Sequence, residues 1–152
     1  MIAASVALVP SALIPIAGCG TIDLGDHIVP PDLRLDEDFF YCEIQPNILT
    51  AKSCASGGSG EGGMCHDSRS ALLLVDTMSA PPDCVDGVIV GGSVSADYMA
   101  NFEAIRFTVQ SDPLSSPLYR RPTGMDSHPR VIFPESDPCA QTIADWINRG
   151  AF

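Results

Sequence analysis

Basic residues are scarce in this chain. Eight Lys and Arg stand against nineteen Asp and Glu, a net charge of −11 over 152 residues. A surface this acidic repels phosphate backbones and excludes nucleic acid as a partner. It would steer basic proteins, or simply keep the chain soluble. No charged residue precedes Cys19. No internal repeat and no second domain are visible, and the length suits one domain of ordinary size. The chain has no Gly-x-Ser-x-Gly elbow, the turn that exposes a serine nucleophile. It also lacks a Cys-x-x-Cys-His stretch. No enzymatic activity is expected.

What is abundant is punctuation. Thirteen prolines and thirteen glycines predict a loop-rich fold with short elements. The six cysteines (Cys19, Cys42, Cys54, Cys65, Cys84 and Cys139) are too many for a reducing cytosol and suit an exported chain.

Residues 1–18 are apolar, uncharged and end in small side chains. They read as a signal peptide, too short and too proline-broken to span a bilayer. The segment Ile16-Ala17-Gly18-Cys19 resembles a bacterial lipobox. That resemblance implies cleavage before Cys19, lipidation of Cys19 and attachment to a membrane; two or more acyl chains give a stable anchor. Gly20 in place of aspartate implies, by likeness to Gram-negative lipoproteins, the outer membrane of the cell envelope. The departure is an n-region without Lys or Arg. The alternatives are a secreted chain cleaved elsewhere or a merely apolar N-terminus. Residues 19–35 read as an acidic tether lifting a domain, residues 36–152, off the membrane. His27, within the tether, reads as a solvated histidine.

Asp36-Glu37-Asp38 suits the first turn of a helix. Phe39, Phe40, Tyr41 and Ile44 give that helix an apolar face. Pro46 should limit or kink it, with Ile48-Leu49 as a second short turn leading to Cys54. Ala71 to Val75 is apolar and fits either a helix turn or a strand. Pro81-Pro82-Asp83-Cys84 reads as a turn, and Val85 to Gly92 as a short apolar segment of open form. Ser95 caps a helix over Ala96 to about Arg106, with Tyr98, Met99, Phe102 and Ile105 inward. Ser116 to Arg130 is a long proline-rich loop, of the kind that often carries function. It holds Met125 and His128. The last helix is the clearest: Asp137 caps it, Pro138 starts it, Ile143, Trp146 and Ile147 line one face, and Gly150 stops it.

The chemistry concentrates in Cys54-Ala-Ser-Gly-Gly-Ser-Gly-Glu-Gly-Gly-Met-Cys65-His66. Covalent haem attachment needs two thiols for the vinyl groups and an imidazole that reaches the iron from the same side. Cys65-His66 keeps the required adjacency, but ten residues separate the thiols where two are usual. Glycines, which accept positive φ, would let the excess bulge outward. The other iron face needs His or Met, and His128 comes first with Met125 next. The same stretch is also compatible with a Cys54–Cys65 disulfide closing the glycine loop. Zinc on Cys54, Cys65, His66 and His128 is disfavoured, because exported thiols are usually oxidised. Cys65 and His66 as a nucleophile pair are disfavoured because sequence neighbours rarely face each other.

Gln45-Pro-Asn-Ile-Leu49, Cys54…Cys65-His66, Pro122-Thr-Gly-Met-Asp-Ser-His128 and Trp146-Ile-Asn-Arg-Gly-Ala151 follow one another in that order. In that order they resemble a small cytochrome c domain of exported bacterial proteins. The resemblance implies a mostly α, small, loop-rich, cytochrome c-like helical domain. It implies one haem c held by Cys54 and Cys65, with His66 proximal and His128 or Met125 distal, so that His66 and His128 are the metal ligands. A lipid-anchored electron-transfer protein with a redox protein partner would follow. The alternative is a haem-less, disulfide-stapled cell-envelope lipoprotein of the same fold, with a binding or structural role.

Overall fold

The computed structural model describes residues 33–55, 66 and 70–150. The expected leader, Cys19, most of the expected tether with His27, and Cys65 lie outside the described residues. No helix among the described residues is long and apolar enough to cross a membrane.

The first helix begins as predicted. Asp36 is its cap, its carboxylate accepting from the Phe39 N–H, and Glu37 and Asp38 occupy the first turn of α1, Glu37–Phe39. The helix does not stop at Pro46. It continues without a break as a π-helix over Phe40–Thr50, with Pro46 inside it. The expectation of a kink and a second short turn is therefore corrected. Proline has no N–H to give, and the wider i→i+5 turn accommodates it. The end is a Schellman stop: Cys54 N–H donates to Leu49 O and Ser53 N–H to Thr50 O, with Ser53 at φ 54°.

The second correction concerns Asp83 to Gly91. The expected turn is instead the strand β1, Asp83–Val85, paired antiparallel with β2, Val88–Gly91. Asp86 and Gly87 both have positive φ, the conformation of a two-residue hairpin turn, and Asp-Gly is a preferred pair for it. The hairpin sits on the first helix. A Cβ at Gly87 would meet the Phe39 ring at 2.8 Å, so only glycine fits there. The Ile89 N–H donates to Asp38 at 3.3 Å, and a disulfide joins Cys84 to Cys42.

Ser95 caps α2, Ala96–Arg106, as expected. Tyr98, Phe102 and Ile105 are buried, whereas Met99 is largely exposed and not in the core. A 3-10 turn, Pro113–Ser115, and a short α3, Pro117–Arg120, begin the long loop. The final helix, α4, spans Pro138–Gly150, and the Asp137 carboxylate accepts the Cys139 N–H. Gly150 belongs to the helix rather than stopping it. Its backbone lies so close to Arg34 and Leu35 that a Cβ would reach Arg34 O at 3.0 Å, and its carbonyl accepts the Arg34 N–H. Leu33 and Leu35 thus pack against the core.

The core forms where α4, the π-helix and α2 meet. Trp146 is fully buried, and its ring centre lies 5.4 Å from that of Phe40 and 6.4 Å from that of Phe102. Its indole N–H donates to Asp36 O at 2.8 Å. Ile143 and Ile147 complete the buried stripe of α4.

Of the described residues 44% are helical and 7% lie in strands, with long irregular connections. This is a mixed fold, which corrects the expectation of a mostly α, cytochrome c-like helical domain. The Asp-Gly turn and the Cys42–Cys84 bridge favour a hairpin where a turn and an apolar segment of open form were expected. Ala71 to Val75 forms neither helix nor strand.

The bridge spans a sequence separation of 42 residues. Reduction, or Cys84→Ala, should lower stability by about 2–4 kcal/mol. Thermal melts with and without reductant measure this, and a wild-type melt that reductant leaves in place would contradict it.

Candidate functional site

The ends of the elements converge on one cavity of about 290 Å³. The end of the π-helix contributes Ile48 and Leu49, and Cys54 follows directly. Ile105 and Thr108 come from the end of α2, Leu118 from α3 and Ile143 from α4, with Leu72, Leu74, Ile132 and Phe133 from the connections. His66, His128, Arg121 and Arg130 also line it, and among the described residues no carboxylate does. The volume lies near the lower bound of small-molecule sites, about 300–1,000 Å³.

The two histidines face each other at a defined separation. Their ring centres are 6.0 Å apart and their planes differ by 21°. Each is held by Nδ1. His66 Nδ1 is 3.1 Å from Leu72 O and 3.0 Å from Ser70 Oγ, and Ser70 Oγ itself donates to Leu72 O. His128 Nδ1 is 2.6 Å from Arg130 O. A carbonyl only accepts, so each Nδ1 carries a proton, and in the neutral ring the lone pair is on Nε2. Metal-binding histidines are oriented in this way.

The segment holding His66 is itself anchored. Leu74 N–H donates to His66 O at 2.7 Å. Next to it, Asn101 on α2 takes the Val75 N–H at 2.6 Å and returns a bond to Val75 O at 2.9 Å. Asn101 is buried and also donates to Gln45 of the π-helix at 3.0 Å. A polar side chain so deep is stable only because its amide is fully used.

The loop carrying His128 has its own brace. Arg120 grips Asp126 with two bonds of 2.7 Å and gives a third to Leu114 O. Arg120 beside Asp126 holds that carboxyl below its ordinary range. Ile132 N–H donates to Pro122 O, closing the loop base.

Cys54 lies on the cavity wall and forms no disulfide among the described residues. Burial pushes its pKa up to about 11, against the opposing pull of Arg130 and Lys52. A protonated thiol is a poor zinc ligand, because thiolate is the binding form. Among the described residues no cluster of three or more His, Cys, Asp or Glu could hold a bare metal ion.

The two imidazole rings are stacked, 6.0 Å between centres with planes 21° apart. The walls around the pair are aliphatic and aromatic, with Leu72, Leu74, Ile132 and Phe133 among them. Two imidazoles in such a wall are the donor types that a flat metal-centred group takes.

Of the sequence-predicted residues, Cys54, His66 and His128 come together here. Met125 does not line the cavity; it is 38% exposed, its N–H given to Arg120 O. Cys65 and Cys19 lie outside the described residues. Arg121 and Arg130 were not among the candidates. Their signal was available: three of the chain's eight cations, Arg120, Arg121 and Arg130, share one loop with His128.

No protein-family model, no curated protein and no solved structure matches this chain.

Two outcomes test the anchoring. Asn101→Ala leaves the Val75 backbone unpaired and should cost about 2–3 kcal/mol, read by denaturant unfolding. The Asp126 contribution is present above its ordinary pKa of 3.8 and lost as pH falls through the lowered value. Melting temperature should therefore fall more steeply for wild type than for Asp126→Asn between about pH 5 and pH 2; parallel curves would contradict the brace.

Proposed function

We propose that this chain is an exported electron-transfer protein that holds one haem c in the cavity between His66 and His128. The observation that carries the reading is the histidine pair: parallel within 21°, centred 6.0 Å apart, each fixed through Nδ1 by a carbonyl. Cys54 and Cys65 would hold the group covalently, and His66 and His128 would be its axial ligands. The bound haem supplies a one-electron redox centre. The chain's own residues do the rest. Leu72 O and Arg130 O orient the imidazoles and set their tautomer. The apolar walls keep water from the site and lower its dielectric, a lever on potential.

His128 is favoured over Met125 as the distal ligand because only His128 lines the cavity. The Cys42–Cys84 disulfide supports an oxidising compartment, hence export. We extend the reading to a lipid anchor at Cys19 in the outer membrane, and to a basic redox protein as partner for the acidic surface.

A second reading keeps the cavity and drops the haem: a cell-envelope lipoprotein that binds an apolar ligand. The ten-residue spacing between Cys54 and Cys65 favours it, since an attachment system reads a short motif.

Periplasmic expression with haem-attachment machinery decides between them. The expected product stains for haem and shows a low-spin spectrum. His66→Ala and His128→Ala should each abolish the low-spin bands, while Met125→Ala leaves them. A colourless protein without added mass, which also takes up no haem, selects the second reading.

A further inference from the structure

Two of the chain's eight cationic residues, Arg121 and Arg130, line a cavity that no carboxylate lines among the described residues. Both are exposed while lining it, so they stand where it opens. Among the described residues neither forms an ion pair. Asp126, whose carboxyl also feels the charge of Arg121, is engaged on both oxygens by Arg120. In a chain of net charge −11, two guanidinium groups that form no ion pair among the described residues, at the mouth of an apolar cavity, are an unused binding capacity. Arginine matches carboxylate geometry with two parallel bonds.

We infer that Arg121 and Arg130 form a carboxylate-binding edge, so that the cavity takes an apolar ligand carrying carboxylate at its outer end. The inference rests on the cavity being a ligand site, as proposed above, and adds the chemistry of the ligand's edge. Arg130 has a double role. Its carbonyl holds His128 Nδ1, so the residue that orients one imidazole also carries one of the two cations. The shared chemistry has two natural sources: the paired propionates of haem, and the single carboxylate of a fatty acid.

Binding to the full-length protein, purified without haem, tests this with three probes: haemin, haemin dimethyl ester and palmitate. The ester keeps the ring and removes the charge. Wild type should bind haemin about tenfold or more tightly than the ester, a gap that Arg121→Gln with Arg130→Gln closes. The double lysine variant should restore part of it, and an unchanged far-ultraviolet spectrum shows that the fold is intact. Low-spin bands with haemin then support the haem reading as well. Arginine-dependent palmitate binding with no low-spin haemin complex supports the carboxylate edge and sinks the haem reading. Haemin and its ester binding wild type equally, with palmitate indifferent to both arginines, overturns the inference.

Discussion

Trp146 ties the two ends of the described chain together. Its buried indole donates to the Asp36 carbonyl across 110 residues of sequence, while its faces pack on Phe40 and Phe102. One side chain thereby fixes α4 against the first helix and against α2. With these three held, their ends can only meet in one place. Leu49, Ile105 and Ile143, one from each, line the cavity there. The hairpin lies elsewhere, bridged to Cys42 and packed on Phe39. The aromatic core is thus the reason that a fold with so little regular structure still presents a defined site.

The irregular segments are ordered by polar bonds rather than by periodicity. Asn101 satisfies both backbone groups of Val75, which lets an extended segment run past a helix without a sheet. Arg120 does the same for the loop after α3. Each bond is worth only about 1 kcal/mol net, yet leaving any of these backbone groups unpaired would cost more than that. The connections that carry the histidines are thus braced by side-chain bonds near where each imidazole is aimed.

Legibility in the sequence divided along this line. The capped helices α2 and α4 could be read directly, because caps and apolar stripes are local signals. The hairpin had a local signal too, Asp86-Gly87 between valines, but Val85 to Gly92 alone is too short to distinguish strand from other apolar segments. Continuity through Pro46 had none, since proline ordinarily ends a helix and only tertiary packing keeps Ile44, Ile48 and Leu49 on one buried side. At the site, Cys54, His66 and His128 were visible as residue types with a known chemistry. The Arg pair and the carbonyls of Leu72 and Arg130 were not, because backbone acceptors have no sequence signature and the contacts are set by loop geometry.

The wide gap between Cys54 and Cys65 was the strongest sequence objection to haem, and the site geometry narrows what it bears on. The His66 ring is aimed by residues that follow it, Ser70 and Leu72, and its backbone is tied to Leu74. His128 is aimed by Arg130. Among the described residues, the bonds that orient the two imidazoles come from Ser70, Leu72 and Arg130. In the proposed reading, spacing between the thiols would bear on covalent attachment, while axial ligation would depend on braces built into the 70–75 segment and the 117–133 loop. An imidazole pair can hold a metal-centred group without thioether bonds, whereas thioether bonds without the pair would leave the metal unligated on at least one face. The pair, rather than the broken motif, is the feature on which the electron-transfer reading stands.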